Sequence, residues 1–215
     1  MDTLNGRPKL LKQANLSLIR KVITAEGTAT RAEIARKTNI SSTTVRSLLA
    51  EMLENGEIES LGFDESSGGR KAQRYRLNPE RYHGAAFCLL DDRVIFLLVN
   101  MCGEIVEKKE LETVGENYRQ PLLSCLDELI REKEIKSIGL GVPGIVEKGC
   151  YWRKSREDGK LYKSDIGDFL AERYHIPVIM ENDLNATAIG FGRCYAKEFP
   201  DENPEDTNMA FLHFE

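Results

Sequence analysis

Ser42, Thr43, Thr44 and Arg46 lie within five consecutive residues, and Arg70, Lys71 and Arg74 follow downstream. Short hydroxyls can bond phosphate oxygens or base edges without filling a groove, and arginine is long enough for a bidentate contact with guanine. A Gly68-Gly69-Arg70-Lys71 tip is thin and cationic, suited to a narrow minor groove whose negative potential attracts arginine. These residue types therefore point to nucleic-acid contact.

The elements needed to present them are legible nearby. Thr30-Arg31-Ala32-Glu33 spells a capping box, so a helix starts at Arg31. Ile34 and Ala35 give that helix a buried face, and Asn39, which tolerates a left-handed backbone, ends it. After a turn of about three residues Ser41 caps a second helix, with Val45, Leu48, Leu49, Met52 and Leu53 inward and Thr43, Arg46, Ser47 and Ala50 outward. Upstream, Leu16, Ile19, Val22 and Ile23 mark a first helix; downstream, Glu57–Leu61 and Gln73–Leu77 alternate as the strands of a wing. This is the pattern of a winged helix-turn-helix, whose second helix enters the major groove. Its candidate DNA contacts are Arg31, Ser41, Ser42, Thr43, Thr44, Arg46, Arg70, Lys71 and Arg74. The competing reading is an ordinary helical hairpin beside a solvated basic loop.

Net charge is −5, a poor match to a polyanion until the chain is divided. Residues 1–82 hold 14 Lys or Arg against 10 Asp or Glu, whereas the remainder holds 16 against 25. The basic excess thus coincides with the reader, and a second, acidic domain is expected after a boundary near Asn78-Pro79, giving domains 1–78 and 79–215. Met1 to Pro8 is polar and no apolar run approaches the roughly 20 residues that cross a bilayer, so a cytoplasmic protein without membrane contact is expected. The five cysteines are scattered and never form Cys-x-x-Cys, which predicts reduced core thiols; His83, His175 and His213 are read as structural, and no metal or cofactor is expected.

Within the acidic part, Gly84–Leu90, Arg93–Asn100 and Glu104–Leu111 read as an antiparallel meander. A helix over Arg119–Glu134, a strand Ser137–Val142, a helix near Ile166–Tyr174, a strand Pro177–Met180, a helix from about Leu184 to Ala196 and a strand Met209–Phe214 complete a mixed sheet with helices on its faces.

Two motifs on that order, Ile138-Gly139-Leu140-Gly141-Val142-Pro143-Gly144 and Glu181-Asn182-Asp183-Leu184-Asn185-Ala186, resemble the paired signatures of the ROK family of repressors, open reading frames and sugar kinases. The similarity covers residues 10–214. It implies an α+β two-domain chain: a winged helix-turn-helix, then a ribonuclease-H-like lobe of the actin and sugar-kinase type, with the family's second lobe expected to be missing. In the wing, Gly69-Arg70-Lys71 resembles the family's Gly-Arg-Pro, with Lys71 in place of proline. Gly141, Pro143, Gly144, Asn182 and Asp183 become ligand candidates: a carboxylate beside an amide at a strand's carboxyl end can hold vicinal sugar hydroxyls. By resemblance, Asp183 matches the base of the kinases, here vestigial. The simpler alternative is that Asp183 only caps the following helix.

Departures from the pattern argue against catalysis. Family kinases close glycine amides around phosphate after the first strand, but Cys88-Leu89-Leu90-Asp91-Asp92-Arg93 has no glycine and two carboxylates. The second phosphate loop and the His/Cys zinc cluster would belong to the second lobe, and Cys150–Lys163 is more charged than a sugar-side loop should be. The expectation is a non-enzymatic, homodimeric, sequence-specific repressor of carbohydrate genes, binding double-stranded DNA and modulated by a sugar or sugar derivative. The alternatives are a sugar kinase with an accessory DNA-binding domain and a ligand-independent dimeric DNA-binding protein.

Overall fold

A computed structural model describes residues 6–63, 72–90, 92–113, 117–155 and 158–198. The chain divides into two units. One runs to Tyr82 and includes Asn100–Glu104; the other comprises His83–Val99 and the residues from Ile105 on. The first unit thus extends past the expected boundary at Asn78, because Asn78 and Arg81 are tied back to it. Asn78 N donates to Glu57 O at 2.9 Å, and Arg81 Nε to Asn55 O at 2.6 Å.

In the first unit, α1 (Gly6–Glu26), β1 (Ala29–Thr30), α2 (Arg31–Thr38), α3 (Ser42–Glu54), β2 (Ile58–Phe63) and β3 (Gln73–Leu77) follow in order. Helix α2 begins as its capping box dictates: Thr30 Oγ1 accepts from Glu33 N at 3.3 Å, and Glu33 Oε2 accepts from Thr30 N at 2.7 Å. It ends at Asn39, which takes the left-handed conformation at φ 56°. Ser41 then caps α3, accepting from Thr44 N at 3.2 Å. Leu16, Ile19 and Ile23 of α1, Ile34 of α2, and Val45, Leu48, Leu49 and Met52 of α3 close one core with Ile58, Tyr75 and Leu77 of the wing. Each such side chain contributes about 1.5–3 kcal/mol when fully buried.

Leu53 does not join them and is 36% exposed. At 100° per residue it lies about 90° from the centre of the buried stripe, so the expected inward position is corrected to the rim. The wing strands pair antiparallel, Ile58 opposite Leu77 and Ser60 opposite Tyr75, with a bulge before Phe63 where Gly62 adopts φ +91°. The two-residue β1, too short to show alternation in sequence, adds to the other edge of β3.

The second unit consists of β4 (His83–Leu89), β5 (Arg93–Asn100), β6 (Ile105–Glu112), α4 (Arg119–Glu132), β7 (Ile135–Val142), β8 (Ile145–Glu147), β9 (Cys150–Lys154), β10 (Leu161–Ser164), α5 (Ile166–Tyr174), β11 (Val178–Asn182) and α6 (Asp183–Glu198). The main sheet has the order β11-β7-β4-β5-β6, with β4, β7 and β11 parallel and β5 and β6 antiparallel. Ala85, Phe87 and Leu89 alternate onto one face and meet Leu122 and Leu126 of α4 and Leu170 of α5; Phe87 and Phe96 lie 5.2 Å apart.

Strands β8, β9 and β10 form a small antiparallel sheet where sequence suggested only a charged loop. Cys150 and Tyr151 are buried while Lys154 and Lys163 are exposed, so the charge lies on the outer positions of real strands. All five thiols are free; Cys150 is buried, Cys88, Cys102 and Cys125 are half-buried and Cys194 is exposed, correcting the expectation of a core position for each. His83 is buried, and His175 takes the left-handed conformation after α5 at φ 54°. The strand expected over Met209–Phe214, His213 on it, and the turn residue Asp91 lie outside the described residues.

Candidate nucleic-acid interface and ligand edge

Burying Val45, Leu48, Leu49 and Met52 forces the opposite face of α3 into solvent. Thr43 and Arg46 are exposed there, and Ser42 is exposed in the first turn at the edge of the stripe. Among the described residues, none of their side chains has a hydrogen bond or ion pair, and the same holds for exposed Arg31 at the start of α2. These four are uncommitted donors on one unit.

Ser41 and Thr44 are engaged with each other: their hydroxyls are 2.8 Å apart, and the Ser41 hydroxyl also caps the helix. Arg74 is braced internally. Its Nη1 donates to Thr28 Oγ1 at 3.3 Å and its Nη2 to Glu33 Oε1 at 3.5 Å. Glu33 is thereby held below the usual glutamate range, chiefly by the Thr30 amide, with Arg74 and Arg36 adding charge. Arg70 and Lys71 lie outside the described residues.

The scaffold behind this face rests on a pair that sequence reasoning missed. Buried Glu57 accepts from Arg20 of α1, with Nη2 to Oε2 at 3.1 Å and a second, shorter bond from Nε. The bidentate bond raises the Arg20 pKa further. Arg20 and Glu57 are 37 residues apart on different elements, so no local pattern signals the pair. Arg76 and Glu59 form a cross-strand pair on the wing at 2.8 Å.

In the second unit, the parallel register places Glu181 opposite Gly141 and Asn182 opposite Val142. The two motifs therefore meet at the carboxyl ends of adjacent strands, where open α/β sheets present groups to ligands. Asn182, rather than Asp183, caps α6. Its Oδ1 accepts from Leu184 N at 3.1 Å and Asn185 N at 3.2 Å, while its Nδ2 donates to Gly144 O at 3.0 Å. Glu181 Oε1 accepts from Asn182 N at 2.9 Å and Asn185 Nδ2 at 3.0 Å, which keeps its pKa low, Asn185 first. Asp183 Oδ1 accepts from Leu184 N at 2.9 Å. Among the described residues Oδ2 of Asp183 and Oε2 of Glu181 accept no hydrogen bond, so each leaves one uncommitted carboxylate oxygen in the motif.

Gly144 is required by the fold, whereas Gly141 has room for a Cβ. A Cβ on Gly144, at φ +116°, would collide with the Trp152 carbonyl oxygen. One on Gly141 would lie 3.6 Å from Cys88 Sγ and 3.9 Å from the Asp183 backbone. Pro143 is half-buried between them. Burial, with the Asp183 charge second, pushes the Cys88 thiol up. Leu90 N bonds Arg93 O at 2.9 Å, and Arg93 pairs with Asp92 at 3.2 Å, so the turn after β4 is closed on itself.

A winged helix-turn-helix DNA-binding family profile matches residues 18–59, and the ROK family profile matches residues 91–198. The xylose repressor of Caldicellulosiruptor bescii is 28% identical over 86% of this chain and 49% of its own length. A putative xylose repressor of Caldicellulosiruptor sp. is 30% identical over 86% and 49%, and the Escherichia coli K12 regulator NagC is 19% identical over 86% and 47%. The crystal structure of a ROK family transcriptional regulator, a homologue of the E. coli MLC protein, superposes with a TM-score of 0.65 at 18% identity, over 88% of this chain and 49% of that one. The chain spans about half the length of the curated relatives it matches. With a winged reader followed by the matched α/β lobe, this chain belongs to the ROK family.

Proposed function

We propose that the chain is a DNA-binding transcriptional repressor whose second unit takes a sugar or sugar derivative as effector. The observation that carries the reading is the exposed row Ser42, Thr43 and Arg46 on α3, fixed in place by the buried stripe behind it. Arg46 reads guanine, Ser42 and Thr43 bond phosphates or base edges, and Arg31 holds the backbone. Ser41, Thr44 and Arg74 set the reader's geometry rather than its contacts. Arg70 and Lys71, in the cationic sequence Gly68-Gly69-Arg70-Lys71, supply minor-groove contacts. Relatives named xylose repressor and N-acetylglucosamine repressor support a sugar-linked role.

The unit that runs to Tyr82 reads and the unit that begins at His83 senses, in place of the domains expected at 1–78 and 79–215. Two copies read half-sites about one helical turn apart, and effector acts by favouring one arrangement of the readers over the other. At the ligand edge Asp183 contributes the contact, while Gly141, Pro143, Gly144 and Asn182 shape it. The protein works in the cytoplasm. It transfers no phosphate, since the turn after β4 offers no glycine amides to a nucleotide.

Selection of binding sites from a randomised duplex pool tests the reading. A pseudo-palindromic consensus should emerge, bound with an affinity that falls steeply with salt. A pool that shows no enrichment after repeated rounds would contradict it.

A further inference from the structure

A groove of about 240 Å³ lies at the amino end of α4, floored by Leu89, Tyr118, Tyr151 and Ile166. All four are buried. It is a different place from the ligand edge. Leu89 and Cys88 are neighbours in β4 and point to opposite faces of the sheet. Leu89 joins the core beneath α4, whereas Cys88 faces Gly141 and Asp183.

The rim is built from polar groups held in position. Arg153 Nη1 donates to the Tyr118 hydroxyl at 2.8 Å with its guanidinium 5.1 Å from that ring's centroid. Arg119 Nη2 pairs with Asp165 at 2.7 Å and stacks over Phe169 at 4.2 Å. The Tyr162 hydroxyl donates to Asp158 Oδ2 at 2.7 Å, leaving a ring that is half exposed. Asn117 and Ser164 complete the lining.

Charge and size select among ligands. An anion would have to displace Asp165 from Arg119 and sit near the Asp158 carboxylate, so the two arginines do not amount to a phosphate site. The volume, below the roughly 300–1,000 Å³ of sites for drug-sized ligands, suits a small ligand better than a nucleotide. An aromatic and aliphatic floor with bidentate polar groups at the edge suits a compact ring with one apolar face and several hydroxyls.

We propose that this groove is a carbohydrate site separate from the strand edge, taking one neutral monosaccharide. The sugar's apolar face lies on the half-exposed Tyr162 ring, and its hydroxyls bond Asn117, Arg153 and Ser164. The site stands on its own geometry and does not depend on DNA binding by the first unit.

Calorimetric titration with D-xylose, D-glucose and N-acetyl-D-glucosamine, with inorganic phosphate and glucose 6-phosphate as anionic comparators, tests it. At least one neutral sugar should bind the unmodified chain. Tyr162→Ala, at a half-exposed position that leaves the fold intact by circular dichroism, should weaken that binding about tenfold, the worth of one aromatic contact. Asn117→Ala should weaken it in the same direction, and Asp183→Asn should leave this Tyr162-sensitive binding in place. Three results would overturn the site: no neutral sugar binding, a preference for phosphate or glucose 6-phosphate, or loss of binding in Asp183→Asn with Tyr162→Ala unchanged. Each of these leaves the site-selection test of DNA reading untouched, so the two failures are distinguishable.

Discussion

Asn182 Nδ2 donates to the Gly144 carbonyl at 3.0 Å, and that bond joins the two motifs of the second unit across adjacent parallel strands. The same side chain caps α6 through Leu184 N and Asn185 N. Replacing Asn182 with alanine removes the cap and the tie together. The expected loss of unfolding free energy is about 1–2 kcal/mol in denaturant titration. Asp183→Ala, which sacrifices a favourable charge at the helix start, should lose less than about 1 kcal/mol. Equal losses would mean that the two residues share the structural role.

Gly144 makes a sharper structural prediction. Alanine there meets both a left-handed backbone and the Trp152 carbonyl oxygen. Destabilisation of roughly 2–4 kcal/mol should follow, read as a fall in the melting temperature. An unchanged melting temperature would show that β9 can yield.

Glu33 links reader stability to pH. Its folded pKa lies below the ordinary glutamate value of 4.5, so the unfolded chain binds its proton first. The stabilisation is complete above about pH 4.5 and is lost as pH falls through the lower folded value. Glu33→Gln should therefore melt earlier than the parent at pH 7, and the gap should close on acidification. A gap that stays constant to pH 3 would place the effect in shape rather than charge.

Thiol chemistry separates the cysteines by depth. Burial pushes the Cys125 thiol up to about 11 and raises Cys88 and Cys102 as well, while Cys194 is exposed on α6. Mass-resolved alkylation at pH 8 should modify Cys194 first and Cys125 among the last. Early modification of Cys125 would contradict the packing of α4 on the sheet.

Much of this was legible in the residues, for reasons that differ by element. Thr30 and Glu33, Asn39, and Ser41 announce their roles by local hydrogen bonding, which sequence carries directly. The stripe on α3 was readable from its period, apart from Leu53 at its edge. Three features were hidden because their cause is tertiary. β1 exists only as a partner of β3, the β8-β9-β10 sheet carries its charge on outer positions, and the Arg20–Glu57 pair joins residues distant in sequence. At the ligand edge the motif was visible, but the assignment of the cap to Asn182 and a spare oxygen to Asp183 required the register of β11 against β7.

The central claim is that the exposed face of α3 reads bases. Fluorescence anisotropy of the parent and Arg46→Ala, on a selected duplex and on a scrambled one at equal salt, tests it most directly. The substitution should cost roughly 1–3 kcal/mol on the selected duplex, relax preference at one position, and change scrambled-duplex affinity far less. An equal loss on both duplexes, or no loss on either, would contradict base reading by this helix.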